Sequence, residues 1–274
     1  HEQDPTYSYE DYTNYPRKYS IICQIRANGT HRIFRWGDPV FVKRSVESCL
    51  FGDGVGFSLE CLSNMIFQED VFHSDKVDHC FYKWNFERDW FWFLLWGRLA
   101  YYPDTSEEIF TAEFKRRFGE EAGNLVYRAY MHGSRIVPII YAYQRLGLDS
   151  REMAPELEIG GNLSSFVDEF AEQMPLDPNT MQTIREYVDS SLASRPSGKL
   201  SPIKICQSLV ENAEACLKAV DEAAVLIPHG NKEFECIKMD MEALYHLAYY
   251  YREKIFAAVN MGFFLKTRER SRIE

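Results

Sequence analysis

Two charged side chains stand at the ends of short apolar runs in the N-terminal part of this 274-residue chain. Residues 19–26 (YSIICQIR) end at Arg26, and residues 55–60 (VGFSLE) end at Glu60. The length of the runs and the glycines beside them predict buried strands. The carboxyl ends of parallel strands form the edge where α/β folds bind ligands. There an arginine suits a carboxylate or hydroxyl, and a glutamate suits acid/base catalysis or a substrate hydroxyl.

Further candidates lie close to these two in the sequence. A third predicted strand, residues 31–36 (HRIFRW), places Arg35 as a second ligand for a carboxylate and Trp36 as a ring that could stack on a sugar. Asp38 and Trp84 complete the predicted substrate-binding set. Structural alternatives remain open. Arg26 could pair with the glutamate as a salt bridge at the sheet rim, and Asp38 before a proline is also the usual start of a helix.

The order of elements in the first eighty residues is strand, loop, helix and strand, with the helix at about residues 39–50. This order is typical of a parallel α/β unit. A closed eightfold barrel needs at least about 200 residues, so these strands cannot close one. They therefore form either the end of a barrel whose first part is not in this chain, or a small sheet packed on helices.

The remainder of the chain predicts helices almost throughout. A capping box at Thr105 and Glu108 opens one helix, Asp177 begins another, and Pro138 predicts a kink or a break in a long one. The last two helices are expected to form an antiparallel hairpin. The helices are predicted at residues 105–118, 120–146, 162–174, 177–193, 201–226 and 232–264.

Residues 83–103 (KWNFERDWFWFLLWGRLAYYP) contain four of the five tryptophans. The apolar run within them is too short to cross a bilayer, which takes about 20 residues. One interpretation is a core helix that is apolar on nearly every side, and the other is a row of rings lining a sugar-binding cleft. The position of the segment between the α/β part and the helices predicts a junction helix on which both parts pack. Only Trp84, near its start, is then expected to approach a sugar.

Composition and motif content exclude several classes of function. The net charge of −10 argues against nucleic acid as a partner, because phosphate binding needs clustered Lys and Arg. The seven cysteines have no spacing typical of a zinc site or a disulfide framework, which indicates buried free thiols. The sequence contains no apparent signal peptide, transmembrane segment, phosphate-binding loop or dinucleotide fingerprint. We therefore expect neither a cofactor nor a membrane partner.

Three segments together resemble the end of the catalytic barrel in large bacterial glycoside hydrolases. They are residues 24–46 (QIRANGTHRIFRWGDPVFVKRSV), residues 54–60 (GVGFSLE) and residues 87–104 (ERDWFWFLLWGRLAYYPD). The similarity is closest to the α-glucuronidase families, whose barrel runs into an all-helical C-terminal domain. Residues 242–259 (EALYHLAYYYREKIFAAV) also resemble a helix of that domain.

The resemblance implies a mainly α protein with a short α/β segment, in which the end of a TIM-type barrel (residues 1–83) precedes an all-helical domain (residues 84–274). It also implies a carbohydrate substrate, hydrolysis of glycosidic bonds in polysaccharide with release of a uronic acid, and a periplasmic or secreted location. The chain alone is expected to be inactive. The alternative is a non-catalytic helical module that forms a homodimer or binds a partner through residues 201–264.

Overall fold

A computed structural model describes residues 18, 20–26, 37–50, 54–60, 81–82, 85–143, 171, 174–175 and 177–269. Within these ranges the protein is mainly helical and contains one two-stranded sheet, which confirms that it is mainly α. The end of a TIM-type barrel remains a prediction. The strands are β1 (Ile21–Arg26) and β2 (Gly54–Glu60). The helices are α1 (Pro39–Ser48), α2 (Asn85–Arg88), α3 (Trp90–Tyr101), α4 (Glu107–Phe118), α5 (Glu120–Tyr143), α6 (Ile184–Leu192), α7 (Pro202–Leu226) and α8 (Lys232–Thr267). The strand predicted at residues 31–36 lies outside the described residues, and so does the helix predicted at residues 162–174 apart from residues 171 and 174.

The chain divides into two compact units. The first contains His1–Ser134, Leu148–Met153 and Cys216–Glu242, and the second contains Arg135–Gly147, Ala154–Ala215 and Ala243–Glu274. The division falls inside α5, α7 and α8. The domain boundary expected between residues 83 and 84 remains a prediction.

In the first unit, β1 and β2 pair in parallel, with α1 between them in the chain. The parallel β–α–β order is therefore confirmed. Helix α1 begins as its sequence predicts, because the Asp38 side chain accepts a hydrogen bond from the Val40 amide and Pro39 occupies the first turn. The helix buries Val42 and Val46.

Helix α3 is the junction that the sequence predicts. Helix α1 packs against it, and the Phe91 ring meets rings from α4 and α5. Protein interiors pack as densely as organic crystals. Because α3 is buried between α1 on one side and α4 and α5 on the other, it determines the position of these helices. The buried side chains of α3 are those of Phe91, Trp92, Leu95, Trp96 and Leu99.

Helices α4 and α5 approach each other closely where they join. Gly119 ends α4 with φ of +92°, in the left-handed region that favours glycine. Gly123 follows in the first turns of α5. A Cβ atom added there would lie 2.5 Å from the Lys115 amide nitrogen and 2.6 Å from the Phe114 carbonyl carbon. Only glycine allows this separation between the two backbones.

Two helix starts predicted from the sequence are wrong, because neighbouring polar residues compete for the capping position. Thr105 does not cap α4: its hydroxyl donates to the Tyr102 carbonyl, and Ser106 accepts from the Glu108 amide instead. Asp177 does not begin a helix either. Its carboxylate accepts from the Asn179 amide in a local turn, a use typical of Asp.

The helix expected after Asp177 begins later. Thr183 caps α6 in a capping box with Glu186. The long helix α5, by contrast, runs through Pro138 as one element, so a break there is excluded. Buried isoleucines precede and follow this proline, at Ile136 and Ile140, and tertiary packing outweighs the lost backbone hydrogen bond.

Helices α7 and α8 pair in antiparallel order, as predicted. In the first unit, Asp221 lies 3.2 Å from Lys238 and the Cys216 thiol lies 3.2 Å from the Met241 sulfur. Residue numbers therefore fall along one helix as they rise along the other. The same order holds in the second unit for Glu214 with Tyr249 and for Cys206 with Arg252.

In the second unit, α6 packs on the last turns of α8. A Cβ added at Gly262 would lie 3.0 Å from a Val188 methyl group, and the Tyr187 and Phe263 rings meet edge to face. Among the residues that the structure describes, no helix is long and apolar enough to span a bilayer.

Replacing either buried tryptophan of α3 tests the junction. Trp92 and Trp96 are 2% and 1% exposed, and neither indole N–H has an acceptor among the described residues. We expect Trp92→Ala or Trp96→Ala to lower the free energy of unfolding by about 3–5 kcal/mol, through lost packing alone. Urea denaturation measures the change. Tyr101→Ala, at a side chain that is 92% exposed, should stay within about 0.5 kcal/mol. A nearly neutral result at either tryptophan contradicts the junction.

The close crossing of α4 and α5 at Gly123 predicts that two matched glycine substitutions change the free energy of unfolding in opposite directions. Gly123→Ala forces the backbones of α4 and α5 apart and should destabilise the protein by about 1–3 kcal/mol, as overpacking does. Gly97→Ala lies inside α3, where an added Cβ meets nothing within 4 Å. It should stabilise by roughly 0.5–1 kcal/mol through helix propensity. Thermal and urea unfolding of both variants measure the two changes in stability. Equal changes in the free energy of unfolding would contradict the close crossing.

Candidate functional site

The carboxyl edge of the sheet brings Arg26 and Glu60 together. They are register partners at the last positions of β1 and β2, and Gln24 pairs with Ser58 two residues earlier. Adjacent strands lie about 4.8 Å apart, so the two backbones are direct neighbours. This is the edge at which the sequence predicted a site. Arginine and glutamate are residue types suited to binding an acidic sugar and its hydroxyl groups.

The register that produces this pairing depends on an irregularity at the start of the sheet. Ile21 pairs with Gly54, whereas Ile22 pairs with Gly56, so Val55 is an extra residue in β2. Glycine in a strand often marks such a bulge. Without the extra residue, Arg26 would face the residue before Glu60.

Asp38 lies at the entrance to α1 and is 8% exposed. Its carboxylate accepts from the Val40 amide at 3.0 Å, and its carbonyl accepts from the Val42 amide at 3.1 Å. Capping therefore accounts for the position of this aspartate. A substrate-binding role for Asp38 remains a prediction.

Gly37 fixes the segment before Asp38 to the helical part of the same unit. An added Cβ would lie 3.2 Å from the Tyr130 ring and 3.3 Å from the Phe91 ring. The chain therefore enters α1 in contact with aromatic rings of α3 and α5. The aromatic core of the first unit thus determines the position at which Gly37 leads into α1. In the sequence, Gly37 directly follows the predicted site residues Arg35 and Trp36.

Several predicted site residues fall outside the described part of the chain, and their roles remain predictions. Arg35, Trp36 and Trp84 belong to this group. Other polar residues near the predicted strand ends and in residues 61–80 also lie outside the described part: Asn28, His31, Arg32, Glu69, Asp70, His73 and Asp75. Within the described residues, no group of three or more His, Cys, Asp or Glu side chains has the arrangement of a metal site.

A charged and aromatic cluster in the first unit was not foreseen from the sequence. Arg88 forms two hydrogen bonds to the Asp240 carboxylate, at 2.8 and 3.2 Å. The Trp90 indole and the Arg117 guanidinium donate to the same Glu233 oxygen, at 2.8 and 2.9 Å. The guanidinium also lies over the indole, 4.1 Å from the ring centroid. Of these residues, Arg88, Trp90, Glu233 and Asp240 line a cleft together with Phe81, Tyr130, Cys236 and Ile237.

The cluster is better suited to joining helices than to binding a substrate. Both carboxylates accept from guanidinium groups, and Arg117 covers one face of the Trp90 ring, the surface on which a sugar would stack. Only the spacing of Glu113 and Arg117 along α4 was visible in the sequence. The pairs with Asp240 and Glu233 join residues more than a hundred positions apart, and no local pattern marks such pairs.

The sequence matches no protein-family model and no curated protein. Among solved structures, the chain is similar to a GH138 enzyme targeting pectin rhamnogalacturonan II. The TM-score is 0.73 at 16% sequence identity, and the match covers 92% of this chain and 31% of that enzyme. The likeness shows that this chain shares the fold of part of a glycoside hydrolase, over less than a third of its length. It is not specific to the α-glucuronidase families.

The ion pairs on α4 predict an acid-sensitive contribution to stability. Hydrogen bonds from Arg116 and from Arg117 hold the pKa of Glu113 at about 2, below its ordinary 4.5. A depressed carboxyl pKa stabilises the fold above about pH 4.5, and this stabilisation is lost as the pH falls toward 2. Glu113→Gln should therefore cost about 1 kcal/mol at pH 7, a magnitude reduced by solvent screening, and nothing near pH 2.

Urea denaturation between pH 2 and 7 measures this difference. Glu211→Gln removes an exposed glutamate from α7 and is the matched control for loss of one negative charge. The two variants should differ at neutral pH and converge at acid pH. A constant difference across the range would contradict the assignment to Glu113.

Proposed function

We propose that this chain is the C-terminal portion of a carbohydrate-active enzyme, with the end of a (β/α)8 barrel in residues 1–83 and a helical domain in residues 84–274. The intact enzyme would hydrolyse glycosidic bonds in a polysaccharide and release a uronic acid. The parallel β1–α1–β2 unit and the fold likeness to part of a glycoside hydrolase support the proposal. The finer assignment to an α-glucuronidase-like activity rests on the sequence motifs alone.

The observation that carries the proposal is the pairing of Arg26 with Glu60 at the carboxyl edge of β1 and β2. Active sites of barrel enzymes are built at this edge from residues on several strands. In the proposed site, Glu60 acts as acid/base or accepts a substrate hydroxyl. Arg26 and Arg35 bind the uronate carboxylate. Trp36 stacks on the sugar ring.

Glycoside hydrolysis normally uses two carboxyl groups on either side of the scissile bond. Glu60 would supply one of them. The second would come from another strand of the intact barrel, or from Glu69 or Asp70. Asp38, which caps α1, and Trp84, which precedes α2, would complete the sugar contacts. Because one carboxyl group is insufficient for this chemistry, we expect the chain alone to bind sugar without cleaving it.

A second candidate function is a non-catalytic module that dimerises or binds a partner through α7 and α8. The observation that favours it is the exposure of large apolar side chains on these helices, with Val225 at 85% and Tyr250 at 53%. Molar mass in solution distinguishes the two proposals. A tight homodimer that binds no oligosaccharide would favour the interaction module.

Calorimetric titration of the chain with uronic-acid oligosaccharides and with neutral oligosaccharides tests the site. We expect preferential binding of the acidic sugars, and a loss of at least about tenfold in affinity for Arg26→Ala, since a charged hydrogen bond contributes about 1.5–3 kcal/mol. Glu60→Gln should weaken binding less, because an amide still accepts from a sugar hydroxyl. In the intact enzyme it should reduce kcat by at least about a hundredfold.

Two nearby substitutions on α1 are matched controls for these changes. Arg44→Ala removes a positive charge, as Arg26→Ala does, and Glu47→Gln removes a negative charge, as Glu60→Gln does. Both control positions are exposed. Neither should alter affinity or turnover. Unchanged turnover on uronic-acid glycosides in the Glu60→Gln and Arg26→Ala enzymes would disprove the site assignment.

A further inference from the structure

Two cysteines of the first unit lie side by side. Cys23 is in the middle of β1, and Cys49 is the residue at which α1 ends. The Cys23 thiol donates to the Cys49 carbonyl oxygen at 3.8 Å, and the Cys49 thiol donates to the Ser45 carbonyl oxygen at 3.3 Å. The Cys23 thiol is also near enough to the Cys49 thiol to raise its pKa. Both are free thiols in this structure, Cys23 half-buried and Cys49 buried.

Other cysteines of the described residues contact partners with which no disulfide can form. The Cys206 thiol lies 3.7 Å from the Arg252 carbonyl oxygen, and the Cys216 thiol lies against the thioether of Met241. A neighbouring cysteine therefore distinguishes Cys23 and Cys49 from these buried cysteines. The sequence did not predict that these two cysteines are neighbours, since their spacing is not typical of a disulfide.

We propose that Cys23 and Cys49 are an oxidisable pair that closes to a disulfide by exchange with a small-molecule disulfide such as oxidised glutathione. The Cys23 thiolate attacks one sulfur of the reagent, forms a mixed disulfide and releases one glutathione. The Cys49 thiolate then attacks the Cys23 sulfur and releases the second glutathione. The two protons lost from the cysteines are taken up by the two leaving thiolates, so atoms and electrons balance.

The order of the two attacks follows from burial. Cys23 is partly accessible and meets the reagent first, whereas Cys49 is enclosed. Burial, together with the neighbouring Cys23 thiol, raises the pKa of Cys49 to about 11, so this residue is almost entirely protonated at neutral pH. Ring closure is therefore the slower step, and its rate depends on the two sulfurs being held close together.

The disulfide would close a loop of 26 positions that begins in β1 and ends at the last turn of α1. This loop contains Arg26 and Asp38, and also the predicted site residues Arg35 and Trp36. Closing a loop reduces the freedom of the unfolded chain and so stabilises the fold. The pair lies in the strand–helix unit itself, so the proposal does not depend on the enzyme activity proposed above.

Peptide mapping of the oxidised chain tests the proposal. The folded chain is incubated with oxidised glutathione, its remaining thiols are alkylated, and trypsin is applied without reductant. We expect residues 19–26 to be linked to residues 45–76, with the loss of two hydrogen masses. Because the second peptide also contains Cys61, the link must persist in Cys61→Ser and disappear in Cys49→Ser.

Thermal unfolding supplies a second measurement. Oxidation should raise the melting temperature of the wild-type chain and of Cys61→Ser, but not that of Cys23→Ser. The wild-type peptide map needs no variant, so it decides the question even if a serine variant fails to fold. Three results would overturn the proposal: alkylation of both thiols after oxidation, glutathione retained on Cys23, or a link that survives in Cys49→Ser.

Discussion

The burial of α3 from two sides is the constraint on which the first unit depends. Its large side chains leave almost no polar surface, so the helix is stable only when neighbours cover it. Helix α1 covers it from the α/β side, while α4 and α5 supply the rings around Phe91. The same packing holds Gly37 against Phe91 and Tyr130. The strand–helix unit is thereby attached to the helical part through an aromatic core.

Charged groups at the start of α3 follow from the same constraint. Guanidinium and carboxylate groups that are partly removed from water must be paired, and Arg88 with Asp240 and Arg117 with Glu233 satisfy this requirement. Trp90 lies between an apolar core and this cluster, with its indole N–H bonded to Glu233. Of the two interpretations of the aromatic run, packing therefore accounts for the tryptophans that the structure describes in α3.

Features that depend on neighbouring residues could be predicted from the sequence. Asp38 before a proline predicted the start of α1, and alternating strand and helix signals predicted the parallel order of β1 and β2. Prediction failed where adjacent polar residues have similar capping ability, as Thr105 and Ser106 do, since tertiary geometry then decides between them. It also failed for Asp177, whose carboxylate is satisfied in a local turn. The long-range pairs of Glu233 had no sequence signal.

The candidate site also depends on a feature that the sequence does not reveal, the register of its two strands. Each run could be predicted to end in a charged residue, and a pairing of the two was one alternative. The register that makes them direct partners could not be predicted. That pairing requires Val55 as an extra residue between Gly54 and Gly56. A one-residue slip in a strand exchanges the residues on its two faces, so a β2 without this bulge would present the neighbour of Glu60 to Arg26 instead. The glycines on either side of Val55 tolerate the irregular backbone, and the chemistry proposed for the edge therefore depends on a bulge at the opposite end of the sheet.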